Sequence, residues 1–261
     1  MKISIINHTS EKLGDEEVQT AVRAINRQLA DDFEPYWSIG AELRLEGHSA
    51  RQPDKQRLVD LRGDAIIYLW DGSDVDDALG YHDANAAGIP FGFVFTDLTE
   101  QLGENWTVTL SHEALELVAD ANVNILAAGP HPAEPTRDVF HWYEMCDAVQ
   151  AETYEIDHVE VSNFVLPLYF TASAEEGARN DFLGRAHNGQ TLPSFGVNPG
   201  GYVGFWDPEL GKHDTYRLSG DETAERRLEI KKRAKGARRA IRYQRLGSRT
   251  SGPAATRPPS R

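Results

Sequence analysis

Residues 106–120, with the sequence WTVTLSHEALELVAD, decide how the rest of the chain is interpreted. Apolar residues recur there at helical spacing, which predicts a helix with one core-facing stripe: Leu110, Ala114, Leu117 and Val118. His112 and Glu116 are four residues apart, so their side chains lie one above the other on one helix face. An imidazole and a carboxylate in this arrangement can supply two ligands of a tetrahedral Zn²⁺ site. Glu113 beside them can then act as a general base on a metal-activated water.

The motif H-E-x-x-E is weakly specific when it is taken alone. It fixes only three residues, so a chance occurrence in a chain of 261 residues is at the level of about a few per cent. The competing interpretation is a solvated helix face that carries two acids and one histidine. The elements before and after the motif therefore have to decide between the two.

Composition limits the class of protein. Hydrophobic residues make up 40% and charged residues 26% of the chain, as in a globular domain, and no apolar run reaches the length of a membrane span. The start, MKISIINHTS, lacks the long apolar core of a secretory signal, and Cys146 is the only cysteine. A reducing compartment is the default, and we expect a cytoplasmic protein. Association with a virion, or export without a signal peptide, stays open.

Charge is distributed unevenly along the chain. The total is −14, but residues 221–261 carry thirteen basic and four acidic residues, a net +9, which leaves −23 on residues 1–220. Such an acidic body disfavours nucleic acid and favours cations. The basic tail could instead contact RNA, a membrane surface or the acidic body. We expect a charged helix over residues 225–245 that runs into a disordered end, and a solvated tail is the more common case.

Before the motif, the hydrophobic pattern predicts one long helix and several strands. The helix lies within residues 14–37, buries the stripe Val18, Val22, Ile25 and Leu29, and ends at Pro35. Strands are predicted at residues 2–7, 41–46, 64–70 and 91–96. The Asp- and Gly-rich residues 71–90 and residues 97–105 are predicted to be loops.

With H-E-x-x-E on the second helix of this layout, the first 120 residues resemble the zincin metallopeptidases. The resemblance implies a twisted sheet backed by one helix, with a second helix that carries metal ligands. It also implies that the strand before this second helix is an edge strand, on which an extended substrate pairs: Phe91, Gly92, Phe93 and Val94. The sequence departs from the family's H-E-x-x-H because Glu116 replaces the second histidine.

A third ligand is expected in residues 140–150, FHWYEMCDAVQ. Glu144 and Asp147 are three residues apart and share a face if this segment is a helical turn. The pairing of H-E-x-x-E with a later E-x-x-D is similar to the motif of divergent zincin-like families, which include the plant phosphate-induced (exordium-type) proteins and bacterial proteins. We assign Glu144 as the third ligand and Asp147 as an orienting residue or alternate ligand. The weaker candidates are Asp120 and His141 as supporting or alternate ligands, His82, and the hydroxyl of Tyr202.

The sequence therefore predicts an α+β domain over residues 1–220, with a zincin-like twisted mixed sheet, a backing helix, a metal-site helix and an irregular C-terminal half. That half should contain a hairpin or two separate strands within residues 154–170 and a short strand at residues 201–206. The expected function is a zinc-dependent peptidase for a peptide or protein substrate. One divalent cation, with Zn²⁺ as the first expectation, is held by His112, Glu116 and Glu144, and Glu113 is the base. The alternatives are a zincin-like protein that binds metal without catalysis and an interaction module that works through the basic tail.

Overall fold

The computed structural model describes residues 1–10, 12–72, 79–172 and 177–221. Its N-terminal half contains a five-stranded mixed sheet and its C-terminal half a four-stranded antiparallel sheet, so the predicted α+β class is confirmed. The strands are β1 (Lys2–His8), β2 (Glu42–His48), β3 (Ala65–Trp70), β4 (Gly80–Ala84), β5 (Pro90–Phe95), β6 (Leu126–Pro130), β7 (Asp138–Trp142), β8 (Thr153–Ile156), β9 (Val159–Ser162), β10 (Val203–Asp207) and β11 (Lys212–Tyr216). The α-helices are α1 (Asp15–Arg27), α2 (Glu34–Trp37), α3 (Thr96–Gln101) and α4 (Trp106–Ala119).

The five-stranded sheet has the order β2-β1-β3-β5-β4. Strands β2, β1, β3 and β5 are parallel, and β4 is antiparallel to β5. Strands β1, β3 and β5 are buried along almost their whole length, as expected for parallel strands covered on both faces. This double burial explains why continuous apolar runs made these strands predictable.

The predicted substrate strand is not at the edge of the sheet. β5, which contains Phe91, Gly92, Phe93 and Val94, pairs with β3 on one side and with β4 on the other, so the expectation of an edge strand there is wrong. Among the described strands, β4 has the edge position next to it. The sequence predicted a loop for β4 because its residues, GYHDA, follow an Asp- and Gly-rich run and form no apolar pattern.

The first helix continues beyond the proline that was expected to end it. α1 passes through a π-helical turn, Gln28–Phe33, into α2, and Pro35 lies in the first turn of α2, where its missing N–H breaks no helical hydrogen bond. The helix ends after Trp37 at Ser38, which has a φ of 55°. The predicted stripe is confirmed, because Val18, Val22, Ile25 and Leu29 are all buried in the main core. Residues 97–105 were predicted to be a loop, but α3 lies there.

α4 forms as predicted and is fixed by buried polar contacts. Asn105 caps its start by accepting a hydrogen bond from the Thr107 N–H. Ser111 Oγ donates to Gln28 Oε1 at 2.6 Å and accepts from the N–H of Ser162 at 3.1 Å. Because Gln28 lies in the π-helical turn and Ser162 in β9, these bonds join α4 to the turn that follows α1 and to the second half of the chain. The position of α4 is therefore determined on two sides.

The C-terminal half is more regular than the sequence predicted. Its sheet has the order β11-β10-β7-β6, and β8 and β9 form the predicted hairpin. The segment 140–150 is not one helical turn: β7 ends at Trp142, and a 3-10 turn, Asp147–Val149, follows. The expected tail helix and disordered end, residues 225–261, lie outside the described residues. Among the described helices, none combines the length and apolar character required to span a membrane.

Candidate metal centre

Helix α4 contributes three buried polar side chains to one site. His112, Glu113 and Glu116 are buried, and the helix packs against β4, β5 and β9. His112 Nε2 is 3.2 Å from Glu116 Oε1, as the four-residue spacing predicted. Burying such groups is unfavourable unless they are paired, hydrogen-bonded or bound to a cation, so their partners determine what the site can do.

Strand β4 brings a second histidine to these acids. His82 Nδ1 lies 3.2 Å from Glu113 Oε2 and 3.8 Å from Glu116 Oε2. Gly80 makes this close approach possible, because a Cβ atom there would lie 2.8 Å from Thr109 Cγ2 and 3.1 Å from Glu113 Cγ. A side chain at Gly80 would therefore push β4 away from α4.

The segment after β7 supplies two more carboxylates. Asp147 Oδ1 lies 3.4 Å from His112 Nε2 and accepts a hydrogen bond from the Tyr202 hydroxyl at 2.8 Å. The backbone N–H of Cys146 donates to Glu116 Oε1 at 3.2 Å. Glu144 lies close enough to Glu116 and His82 to share a cation with them. Tyr202 thus orients an acid in this structure.

Among the described residues, two groups of side chains have ligand atoms that all lie within 4.8 Å of one another. One group is His82, Glu116 and Glu144, and the other is His112, Glu113 and Glu116. The structure therefore brings His112, Glu113 and Glu116 together, and it places Glu144 with Glu116 on the side of His82. On the side of His112 the nearby additional acid is Asp147.

Two of the predicted supporting residues lie outside both groups. The carboxylate of Asp120 accepts hydrogen bonds from the N–H groups of Asn124 and Ile125 and so shapes the turn after α4. His141 Nε2 donates to the carbonyl oxygen of Pro130 at 2.9 Å, and its ring packs against Phe195. Burial lowers the pKa of His141 to about 4, so this imidazole is neutral at physiological pH.

The surrounding acids control the protonation of His112. Burial on its own lowers the pKa of His112, but the carboxylates of Glu116, Asp147 and Glu113 outweigh burial and raise the pKa to about 10. Without a cation in the site, His112 is therefore an imidazolium at neutral pH. Metal binding has to displace this proton, because only a neutral imidazole nitrogen is a ligand.

The single cysteine is a neighbour of the site. Cys146 is buried, and its Sγ lies 3.8 Å from the carbonyl oxygen of His112. Burial, with the nearby acid Glu116, raises the pKa of this thiol well above its ordinary range. Cys146 is therefore a protonated thiol at neutral pH, and its contribution to the site is the backbone N–H that holds Glu116.

The site opens towards a small pocket on the side of Glu144 and Asp147. These two acids line the pocket together with aromatic side chains, Trp142, Tyr169 and Phe170. Glu144 is 9% exposed and His112 8%, whereas Glu113 is 2% exposed and Glu116 and His82 are fully buried. A ligand would therefore reach the cluster past Glu144 and Asp147, with His82 on the closed side.

His82 is the residue whose proximity to the acids of α4 was not predicted from the sequence. A single histidine in an Asp- and Gly-rich segment gives no periodic signal, and its approach to α4 depends on pairing between β4 and β5. One local feature could have indicated its position. Tyr81, His82 and Asp83 follow directly on Gly80, and a glycine in a strand often marks a close approach to another element.

No protein-family model, no curated protein and no solved structure matches this chain. The geometry of the cluster is therefore the basis for assigning a function.

Proposed function

We propose that this protein is a metal-dependent hydrolase of the zincin type that cleaves peptide bonds at the cluster on α4. The observation that supports this most is the convergence of His112, Glu113 and Glu116, from one helix, with a second histidine and two acids from β4 and the segment after β7. The surroundings of His112 support a fit to a cation. Its Nε2 is buried among carboxylate oxygens yet makes no well-directed hydrogen bond, as a nitrogen poised for a cation would.

The layout of the first half supports the same proposal. A backing helix, a mixed sheet and a second helix with H-E-x-x-E occur in the order that the zincin resemblance implies. The edge position beside the metal-site helix is taken by β4, so β4 replaces β5 as our candidate for pairing with an extended substrate.

The proposed roles follow from the positions of the side chains. A divalent cation held by His112 and Glu116 would polarise the substrate carbonyl and make a water a better nucleophile at neutral pH. Glu113 Oε2 would take the proton of that water and pass it to the leaving amine, and His82 Nδ1 at 3.2 Å would hold this carboxylate in place. Asp147, oriented by Tyr202, would hold His112 or bind the cation itself.

The substitution Glu113→Gln tests the proposal. Zinc-loaded wild type should cleave members of a fluorogenic peptide library, and Glu113→Gln should lose activity by at least about 100-fold while it retains its zinc. Glu17→Gln, at an exposed position of α1, is the matched control and should behave like wild type. Equal rates for Glu113→Gln and wild type would refute the role of Glu113, and a zinc-loaded wild type that cleaves no peptide would refute the peptidase.

One observation favours a second candidate, a metal centre that stabilises the fold without catalysis. Glu113, the proposed base, is only 2% exposed, and its nearest ring nitrogen belongs to the fully buried His82. A structural site of this kind would bind zinc and raise the melting temperature, but Glu113→Gln would then change stability and no rate.

A further inference from the structure

Glu116 lies at the centre of the cluster and belongs to both groups of converging side chains. Its two carboxylate oxygens face different histidines. Oε1 is 3.2 Å from His112 Nε2, whereas Oε2 is 3.8 Å from His82 Nδ1. A carboxylate whose two oxygens serve separate imidazoles has the form of a bridge between two cations rather than of a ligand to one.

The distances around His112 agree with a metal coordination sphere. Ligand atoms about 2.0–2.1 Å from a tetrahedral Zn²⁺ lie about 3.3 Å from one another. The distances from His112 Nε2 to Glu116 Oε1 and to Asp147 Oδ1, 3.2 and 3.4 Å, both agree with this value. On the other side, His82, Glu116 and Glu144 form a group of their own within the 4.8 Å limit.

Charge balance favours two cations over one. Glu113, Glu116, Glu144 and Asp147 are all at most 9% exposed, and together they carry four negative charges when ionised. Two divalent cations carry four positive charges, which equals the charge of these four carboxylates when all of them are ionised.

The hydrogen-bond geometry at His112 is a separate observation that points to a ligand. Nε2 is buried and makes no well-directed hydrogen bond, although two carboxylate oxygens lie within 3.4 Å. Poor hydrogen-bond geometry at a short distance is expected when a nitrogen and its neighbouring oxygens are arranged around a common cation rather than towards each other.

We propose that the cluster binds two divalent cations, with Glu116 as the bridging carboxylate. His82 and Glu144 hold one cation, and His112 with Asp147 holds the other. Two imidazoles and three carboxylates form a ligand set suited to Zn²⁺ and Mn²⁺. The inference deepens the proposed metal centre, but it concerns the number of ions and stands whether or not the protein cleaves peptides.

The number of zinc ions per chain tests this inference. Full-length protein is saturated with Zn²⁺, freed of excess ion by gel filtration and analysed for metal by mass spectrometry. Wild type should hold two zinc ions per chain, and His82→Ala should hold one. His48→Gln changes an exposed histidine of β2 and should keep both ions. One ion in wild type, with no loss in His82→Ala, would overturn the inference, as would a wild type that holds none.

A second measurement does not depend on the folding of any variant. Wild-type crystals loaded with Zn²⁺ should give two anomalous peaks about 3.5–4 Å apart, on either side of Glu116. A single peak at full occupancy would overturn the inference. The peptide assay distinguishes a failure of this inference from a failure of the proposed function. Two bound ions without peptide cleavage would refute only the peptidase activity. Peptide cleavage with one bound ion would refute only the bridging role of Glu116.

Discussion

Gly80 is the point of close approach between β4 and α4, so replacing it with alanine is a local way to move His82 relative to the acids. A Cβ atom at position 80 would lie 2.8 Å from the carbonyl oxygen of Phe93 and 2.8 Å from Thr109 Cγ2. Ordinary contacts begin at 3.4 Å, and the carbonyl oxygen belongs to the sheet backbone and cannot rotate away. We therefore expect β4 to shift by about 0.6 Å, the difference between these two distances, because a close-packed interior has no spare space.

The expected magnitude has two parts. Overpacking of a core costs about 1–3 kcal/mol, which corresponds to a melting temperature lower by about 2–12 °C for a domain of this size. Metal ligands tolerate displacements of only about 0.2 Å, so the shift of β4 should also weaken Zn²⁺ binding. By analogy with the loss of a residue that orients a ligand, the decrease in affinity should be about 10–100-fold.

The two parts are measured separately. Thermal melts of Gly80→Ala in EDTA report the packing cost, and calorimetric titration with Zn²⁺ reports the affinity. Gly14→Ala is the matched control, because a Cβ atom at Gly14 meets nothing within 4 Å. If Gly80→Ala lost stability but bound Zn²⁺ with the wild-type affinity, the contact between β4 and α4 would not define the site.

Three further predictions follow from the same geometry. Removing zinc from wild type with EDTA should lower the melting temperature by about 8–16 °C, since an ion at 1,000 times its Kd adds about 4 kcal/mol; identical melts with and without EDTA would contradict this. Tyr202→Phe removes the hydrogen bond to Asp147 and should lower the free energy of unfolding by about 1–3 kcal/mol. It should also weaken zinc binding in a competition titration. Unchanged zinc binding would show that the orientation of Asp147 is unimportant. Burial lowers the pKa of His141 to about 4 in the folded protein, whereas a histidine in the unfolded chain has a pKa of about 6.5. Between these two pH values the unfolded chain binds one more proton than the folded protein. The free energy of unfolding should therefore fall by about 3 kcal/mol as the pH falls from about 6.5 to 4. In urea unfolding at pH 7 and pH 4.5, His141→Phe should show a smaller loss of stability at the lower pH than wild type. An equal loss in the two proteins would show that His141 does not contribute to the acid sensitivity.

The helices and parallel strands were predictable because burial imposes a period on their sequences. α1 shows its stripe through Val18, Val22 and Ile25, and β3 shows double burial as a continuous apolar run. The spacing of His112 and Glu116 is a local property of one helix, so their proximity also followed from the sequence.

The remaining part of the site depends on long-range packing that leaves no local pattern. β4 is buried because it pairs with β5 and packs on α4, and neither contact can be read from the residues GYHDA. The role of β5 as an interior strand depends on the same pairing. Glu144 and Asp147 were expected to share a helical turn, but the structure places Glu144 with His82 and Asp147 beside His112. The spacing of Glu144 and Asp147 in the sequence therefore could not show that they approach different histidines.

The central claim is that side chains from α4, β4 and the segment after β7 converge on a cation. The most direct test is the zinc content of purified wild type beside His112→Ala, measured by mass spectrometry after exposure to Zn²⁺ and gel filtration, with melts in EDTA to show that both proteins are folded. Our account predicts that wild type retains zinc tightly and that His112→Ala loses at least one equivalent, because Nε2 faces the acids directly. A folded wild type that retains no zinc, or a His112→Ala protein that retains as much as wild type, would contradict it.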